Sequence, residues 1–129
     1  MTVKLKKLST LQKIKILILG VSNPRHENLT IPTSEFETIK LNSNKEIECW
    51  SIKTENAKGS VIFFHGFGGN KSSLLDKAEV FLGLGYNIFL VDFMGSGGSE
   101  GNQTSIGFLE AEQVRTSFNY LSKQGKQNI

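Results

Sequence analysis

Apolar positions fall into a few short runs whose spacing changes along the chain. Phe36, Ile39 and Leu41, then Ile47, Cys49, Trp50 and Ile52, mark two β-rich stretches, 36–41 and 46–52, joined by Asn42, Ser43, Asn44 and Lys45. Asn tolerates left-handed backbone, so this joint predicts a hairpin. Val61, Ile62, Phe63 and Phe64 are apolar at every position, and so are Ile88, Phe89, Leu90 and Val91. Strands without alternation are covered on both faces, as in a parallel sheet. Between them Leu74, Leu75, Ala78, Phe81 and Leu82 recur at three- and four-residue spacing, which predicts a helix over 71–83 that Gly83 and Gly85 stop. The span 61–91 is long enough for a right-handed strand-helix-strand crossover. A second helix is expected over 104–123, with Thr104 as N-cap and Gly107, Ala111, Val114, Phe118 and Leu121 on one stripe. The predicted fold class is α/β: an N-terminal β-hairpin, then strand, helix, strand, helix of a mostly parallel sheet. Residues 125–129 read as a turn toward a strand that does not follow.

The stretch before the hairpin differs. Lys4, Lys6, Lys7, Lys13 and Lys15 precede the first acidic residue, Glu27, in a chain of 15 Lys and Arg against 12 Asp and Glu. The positive excess belongs to this arm and leaves the body slightly acidic, which argues against a nucleic-acid-binding face. The apolar run from Ile16 to Val21 is 6 residues. A secretory core needs roughly 7 to 15, and a membrane span roughly 20. The arm is therefore expected to be a short helix or strand packed on the body, with attachment to an anionic membrane surface as the alternative. Residues 22–34 hold both prolines and no apolar periodicity and read as an extended linker, dividing the chain into 1–34 and 35–129.

Composition changes little in this picture. With 38% hydrophobic residues the 129-residue chain fits one globular domain. The single Cys49 has no disulfide partner, and with His26 and His65 it gives no metal-ligand spacing. No metal or cofactor is expected, and a reducing, cytoplasmic setting fits. Trp50, Phe63, Phe64, Phe81 and Phe89 read as core, and Cys49 as packed rather than reactive.

Nine of the 13 glycines lie between Gly66 and Gly101, just past the two apolar strands, where open parallel sheets bind ligands. Three readings compete for these loops. A phosphate-binding loop fails because Asn70 and His65 stand where it needs glycine, while a dinucleotide module keeps Gly66, Gly68 and Asp92 but has Lys71 in place of its third glycine. The string around Ser99 spells G-x-S-x-G, but Ser99 lies seven residues beyond Asp92 rather than on a strand-to-helix elbow, and no His follows His65. Ser99 thus reads as part of a connector and not as a nucleophile. The third reading is an oxyanion hole, in which Gly66, Gly68 and Gly69 let backbone N–H groups approach a developing negative oxygen. His65 suits a loop-shaping role better than proton transfer, and Asp92 suits either a turn acid or a site-lining one.

The order of His65, Gly66, Phe67, Gly68 and Gly69, the strand ending in Asp92, the loop from Gly95 to Gly101, and the Ile106–Ala111 stretch with its helix resembles the N-terminal half of a bacterial α/β-hydrolase. The likeness is to the lysophospholipase-like and serine-aminopeptidase (S33)-like kind and covers residues 36–129. It implies ester, thioester or amide hydrolysis of a small-molecule ester, lipid or peptide substrate by a Ser-His-Asp triad. It implies that the Phe67 N–H donates to the oxyanion, that His65 and Gly66 shape the loop, and that Asp92 and the 95–101 loop border the site. The family's nucleophile, acid and His come later than Ile129, so the resemblance implies a truncated, inactive fragment or one half of a split hydrolase. It also implies that the strand at 61–64 is left as an unpaired edge prone to self-association. Met94 stands where family members commonly carry Arg, and Gln113 where they commonly carry Asp, which is expected to weaken the anchoring of loop or helix.

Overall fold

The computed structural model of the protein describes residues 9–19, 21–22, 25–105, 107–125 and 128–129. Helix α1 (Thr10–Leu19) precedes a two-residue strand β1 (Val21–Ser22). Then come β2 (Glu37–Asn42), β3 (Glu46–Ile52), β4 (Ser60–Phe64), helix α2 (Leu75–Gly83), β5 (Asn87–Val91), the two-residue β6 (Gln103–Thr104) and helix α3 (Glu110–Lys123). The main sheet has the order β2-β3-β5-β4. Strands β2 and β3 form the expected antiparallel hairpin with Asn42 opposite Glu46, and β3 runs antiparallel to β5. β4 and β5 are parallel, with Val61 beside Ile88 and Phe64 beside Val91. Among the described residues no strand pairs with the other edge of β4.

The apolar run of β5 is buried on both sheet faces, while that of β4, at the sheet edge, is half-buried. On one face Trp50, Ile52, Ile88 and Leu90 pack with Leu75 and Ala78 of α2. On the other, Leu41, Ile47, Cys49, Phe89 and Val91 pack with Leu121 of α3. The alternation of β3 sends Cys49 to one cluster and Trp50 to the other, as a two-residue side-chain period requires.

Three expectations need correction. The helix expected over 71–83 opens as a 3-10 turn over Lys71–Leu74, capped by the Asn70 side chain, and becomes α-helical only at Leu75. The helix expected from Thr104 begins at Glu110: Thr104 lies in β6, paired with Val21, and Gly107 sits outside the helix at φ +104°. The face that α3 buries is also not the apolar stripe. Glu110, Gln113, Ser117 and Leu121 point inward, while Ala111, Val114 and Phe118 are exposed. The helix is turned by one position, about 100°, because its inner side meets polar groups. Gln113 Nε2 donates to Asn44 Oδ1 (2.8 Å), and Thr116 Oγ1 to Ser43 Oγ (2.9 Å), at the hairpin tip.

Residues 25–28 fall within the expected linker and form no regular element, yet they are hydrogen-bonded into the body. No described helix is long and apolar enough to cross a membrane.

Candidate functional site

The two glycine-rich loops meet at the carboxyl ends of β4 and β5. In the first, the Gly69 N–H donates to Gly66 O (3.0 Å) and Gly68 has φ +76°, the third-position geometry of a type II turn that favours glycine. The N–H of Phe67 has no hydrogen-bond partner among the described residues, and the Phe67 side chain is exposed. A cleft of about 140 Å³ opens beside this turn, lined by His65, Gly66, Phe67, Phe93, Met94 and Glu110. A larger hollow of about 400 Å³ lies at the opposite ends of the strands, beside Ser60 and Asn87, away from both loops. The chemistry-bearing groups gather at the smaller one.

His65 joins the loops. The Phe93 N–H, which can only donate, points at its Nε2 (3.0 Å), so Nε2 accepts and Nδ1 carries the proton that it gives to Gly66 O (2.9 Å). Burial pushes the imidazole below its ordinary value, against the opposing pull of the Gly66 carbonyl and the Asp92 charge. Both ring nitrogens are spent on backbone groups, so His65 is a neutral staple that shapes the turn.

Asp92 is completely buried and turned away from the cleft. Its Oδ1 accepts from the Lys71 N–H (2.7 Å), and its Oδ2 accepts from Asn28 Nδ2 (2.9 Å), the Gly98 N–H (3.1 Å) and the Lys71 ammonium. Lys71 is likewise fully buried and also binds Glu48 Oε1 (2.8 Å), with its nitrogen 4.2 Å from the centre of the Trp50 ring. Lys40 meets the other Glu48 oxygen at 2.8 Å. Burial alone would raise the Glu48 carboxyl, but the two lysines hold it below its ordinary value. Gly97 and Gly98 roof this cluster at close range. A Cβ on Gly97 would stand 2.0 Å from Asp92 Oδ2, and one on Gly98 2.2 Å from Glu48 Oε2. Asp92 therefore supports the loop from beneath, and neither its carboxylate nor Lys71 is free for a ribose or a phosphate.

Ser99 is buried, its hydroxyl donating to Asp92 O (2.6 Å) and accepting from the Glu48 N–H (2.7 Å). That hydroxyl is a connector between β3 and β5. No Ser hydroxyl is hydrogen-bonded to a His ring among the described residues. Gly95, at φ +77°, turns the chain where a Cβ would press on Gln103 O at 2.7 Å.

Glu110 lines the cleft, and Gln113 holds its rim through Met94. Glu110 receives the Ser105 hydroxyl and N–H and the Thr104 hydroxyl; these bonds outweigh the effect of burial and hold its carboxyl below its ordinary value. Gln113 Oε1 accepts from the Met94 N–H (3.0 Å). The positions expected to lose a charge each thus touch one another, both buried, and a neutral contact anchors the loop to α3.

Comparison with family profiles and with curated proteins gives no match. Among solved structures, the chain is similar to the Pyrococcus furiosus esterase Pf2001, with TM-score 0.73 and 22% identity over 81% of this chain and 42% of that one. It is also similar to epoxide hydrolase A from Mycobacterium thermoresistibile, with TM-score 0.57 and 16% identity over 72% of this chain and 29% of that one. Epoxide hydrolase VrEH1 from Vigna radiata gives TM-score 0.55 and 18% identity over 74% of this chain and 29% of that one. The chain therefore spans less than half the length of the hydrolases it matches. Its hairpin, parallel pair and flanking helices are those of the α/β-hydrolase fold.

Proposed function

We propose that the chain supplies the oxyanion loop of a serine-hydrolase site, of the S33-like or lysophospholipase-like kind, for an ester, thioester or amide of a small molecule, lipid or peptide. The observation that carries this reading is the Phe67 N–H, without a partner among the described residues and presented by a left-handed glycine turn beside a cleft at the carboxyl end of a parallel strand. The buried hydroxyl of Ser99 supports a nucleophile from outside these 129 residues. The free edge of β4 is where further strands of the same chain, a second chain or another copy would pair. The lone buried thiol of Cys49 fits a reducing cytoplasm.

The test begins with the coding sequence after codon 129. It is expected to encode an apolar strand, G-x-S-x-G and a helix, in frame, frameshifted or as a separate gene. Its absence from every frame and from the neighbouring genes overturns the reading. In the completed protein, Phe67→Pro deletes the N–H while suiting the second position of a type II turn. It is expected to lower kcat on p-nitrophenyl acetate by about 10² to 10³, and an unchanged kcat would remove Phe67 from the site.

A further inference from the structure

Residues 25–28 reach both loops at once. The Arg25 guanidinium donates to three carbonyls of the second loop: Gly97 O (2.7 Å), Ser99 O (2.6 Å) and Gly101 O. Those carbonyls belong to alternate residues, and a planar fork with five donors meets such a row where a single ammonium does not. The His26 carbonyl bridges the loops, accepting from the Gly97 N–H (3.0 Å) and from Asn70 Nδ2 (3.0 Å), which also donates to Glu27 O (2.8 Å). Asn28 repeats the bridge, donating to Asp92 Oδ2 and accepting from the Ser72 N–H (3.2 Å). The His26 ring lies over Gly68, where a Cβ would stand 3.8 Å from its Nε2.

We propose that residues 25–28 are a positioning strap that holds the turn carrying the Phe67 N–H in register with the 95–101 loop, with Arg25 as its anchor. This rests on the reading of 66–69 as an oxyanion loop. Loops closed mainly by backbone bonds open locally at far lower cost than the strands they connect. The strap adds side-chain donors from a distant stretch of chain to two such loops. Arg25 touches no reacting atom and acts through the loops it fixes.

Amide hydrogen exchange on the full chain tests this. In the unmodified protein the Gly97 amide, bonded to the strap, is expected to be protected. Arg25→Ala is expected to speed exchange at Gly69, Gly97 and Gly98 at least tenfold while Phe89 and Leu90 in β5 keep their rates, and Arg25→Lys restores part of the protection. Unprotected exchange at Gly97 in the unmodified protein overturns the proposal. So does an Arg25→Lys or Arg25→Ala chain in which loops and β5 change by one common factor, or in which the loops do not change. Should Arg25→Ala fail to fold, the first measurement and Arg25→Lys decide. No substrate is involved, so failure here leaves the hydrolase reading intact, and failure of turnover leaves the strap intact.

Discussion

Removing the buried cation, Lys71→Met, probes the support beneath both loops. The Lys71 ammonium lies 2.8 Å from Glu48 and is hydrogen-bonded to Asp92. At an effective dielectric near 20, each contact is worth roughly 6 kcal/mol before desolvation is subtracted. Methionine keeps an apolar stem of similar length but leaves two carboxylates facing a neutral thioether, and breaking a buried pair in this way costs about 3–5 kcal/mol. Glu48 retains Lys40, and Asp92 retains the Asn28 amide and two backbone N–H donors, which places the loss near the low end, about 3 kcal/mol. For a chain of this size that is roughly a 12 °C drop in Tm. Urea unfolding at pH 7, followed by Trp50 fluorescence, reads it directly. The double change Lys71→Met/Asp92→Asn is expected to cost less than the two single losses together, by about 1–3 kcal/mol. A Lys71→Met loss below about 1 kcal/mol, or strict additivity, would refute the buried-cluster argument.

Other outcomes follow from the same contacts. His65 is held below its ordinary 6.5 by burial, so as pH falls below that value the unfolded chain takes up a proton that the native chain does not. Stability is then full above about 6.5, falls toward the native pKa and levels off beneath it; urea midpoints between pH 7.5 and 5.5 should fall in the parent and less so in His65→Gln. Glu48 and Glu110, held low, lose their contribution only further down, as pH falls below 4.5. Gly98→Ala forces a methyl onto Glu48 and should cost about 1–3 kcal/mol by the same unfolding assay, while an unchanged midpoint would mean that the roof is not closed. Burial pushes the Cys49 thiol up to about 12, so it should resist a disulfide reagent at pH 8 and react fully in urea.

The strands were legible because β4 and β5 carry apolar residues at their last four positions and the hairpin carries its Asn-rich joint. The exposed stripe of α3 was not. The helical period identifies a face, but which face turns inward depends on Asn44 and Ser43, more than 65 residues away in sequence from their partners Gln113 and Thr116. The turn at 66–69 was legible from its glycines. In the sequence Lys71 stands out only as the residue in place of a dinucleotide motif's third glycine, and its burial follows from Glu48 and Asp92, 23 and 21 residues distant. Arg25 lay in a stretch with no periodicity, and only the folded loop shows three carbonyls turned toward it.

The central claim is that this chain presents an oxyanion loop while its own G-x-S-x-G serine is a buried structural hydroxyl. Treatment of the purified 129-residue protein with a fluorophosphonate, followed by intact and peptide mass spectrometry, tests it most directly. No adduct on Ser99 is expected, and p-nitrophenyl acetate should hydrolyse equally slowly with the parent and Ser99→Ala. An adduct on Ser99, with turnover that Ser99→Ala abolishes, would contradict the account.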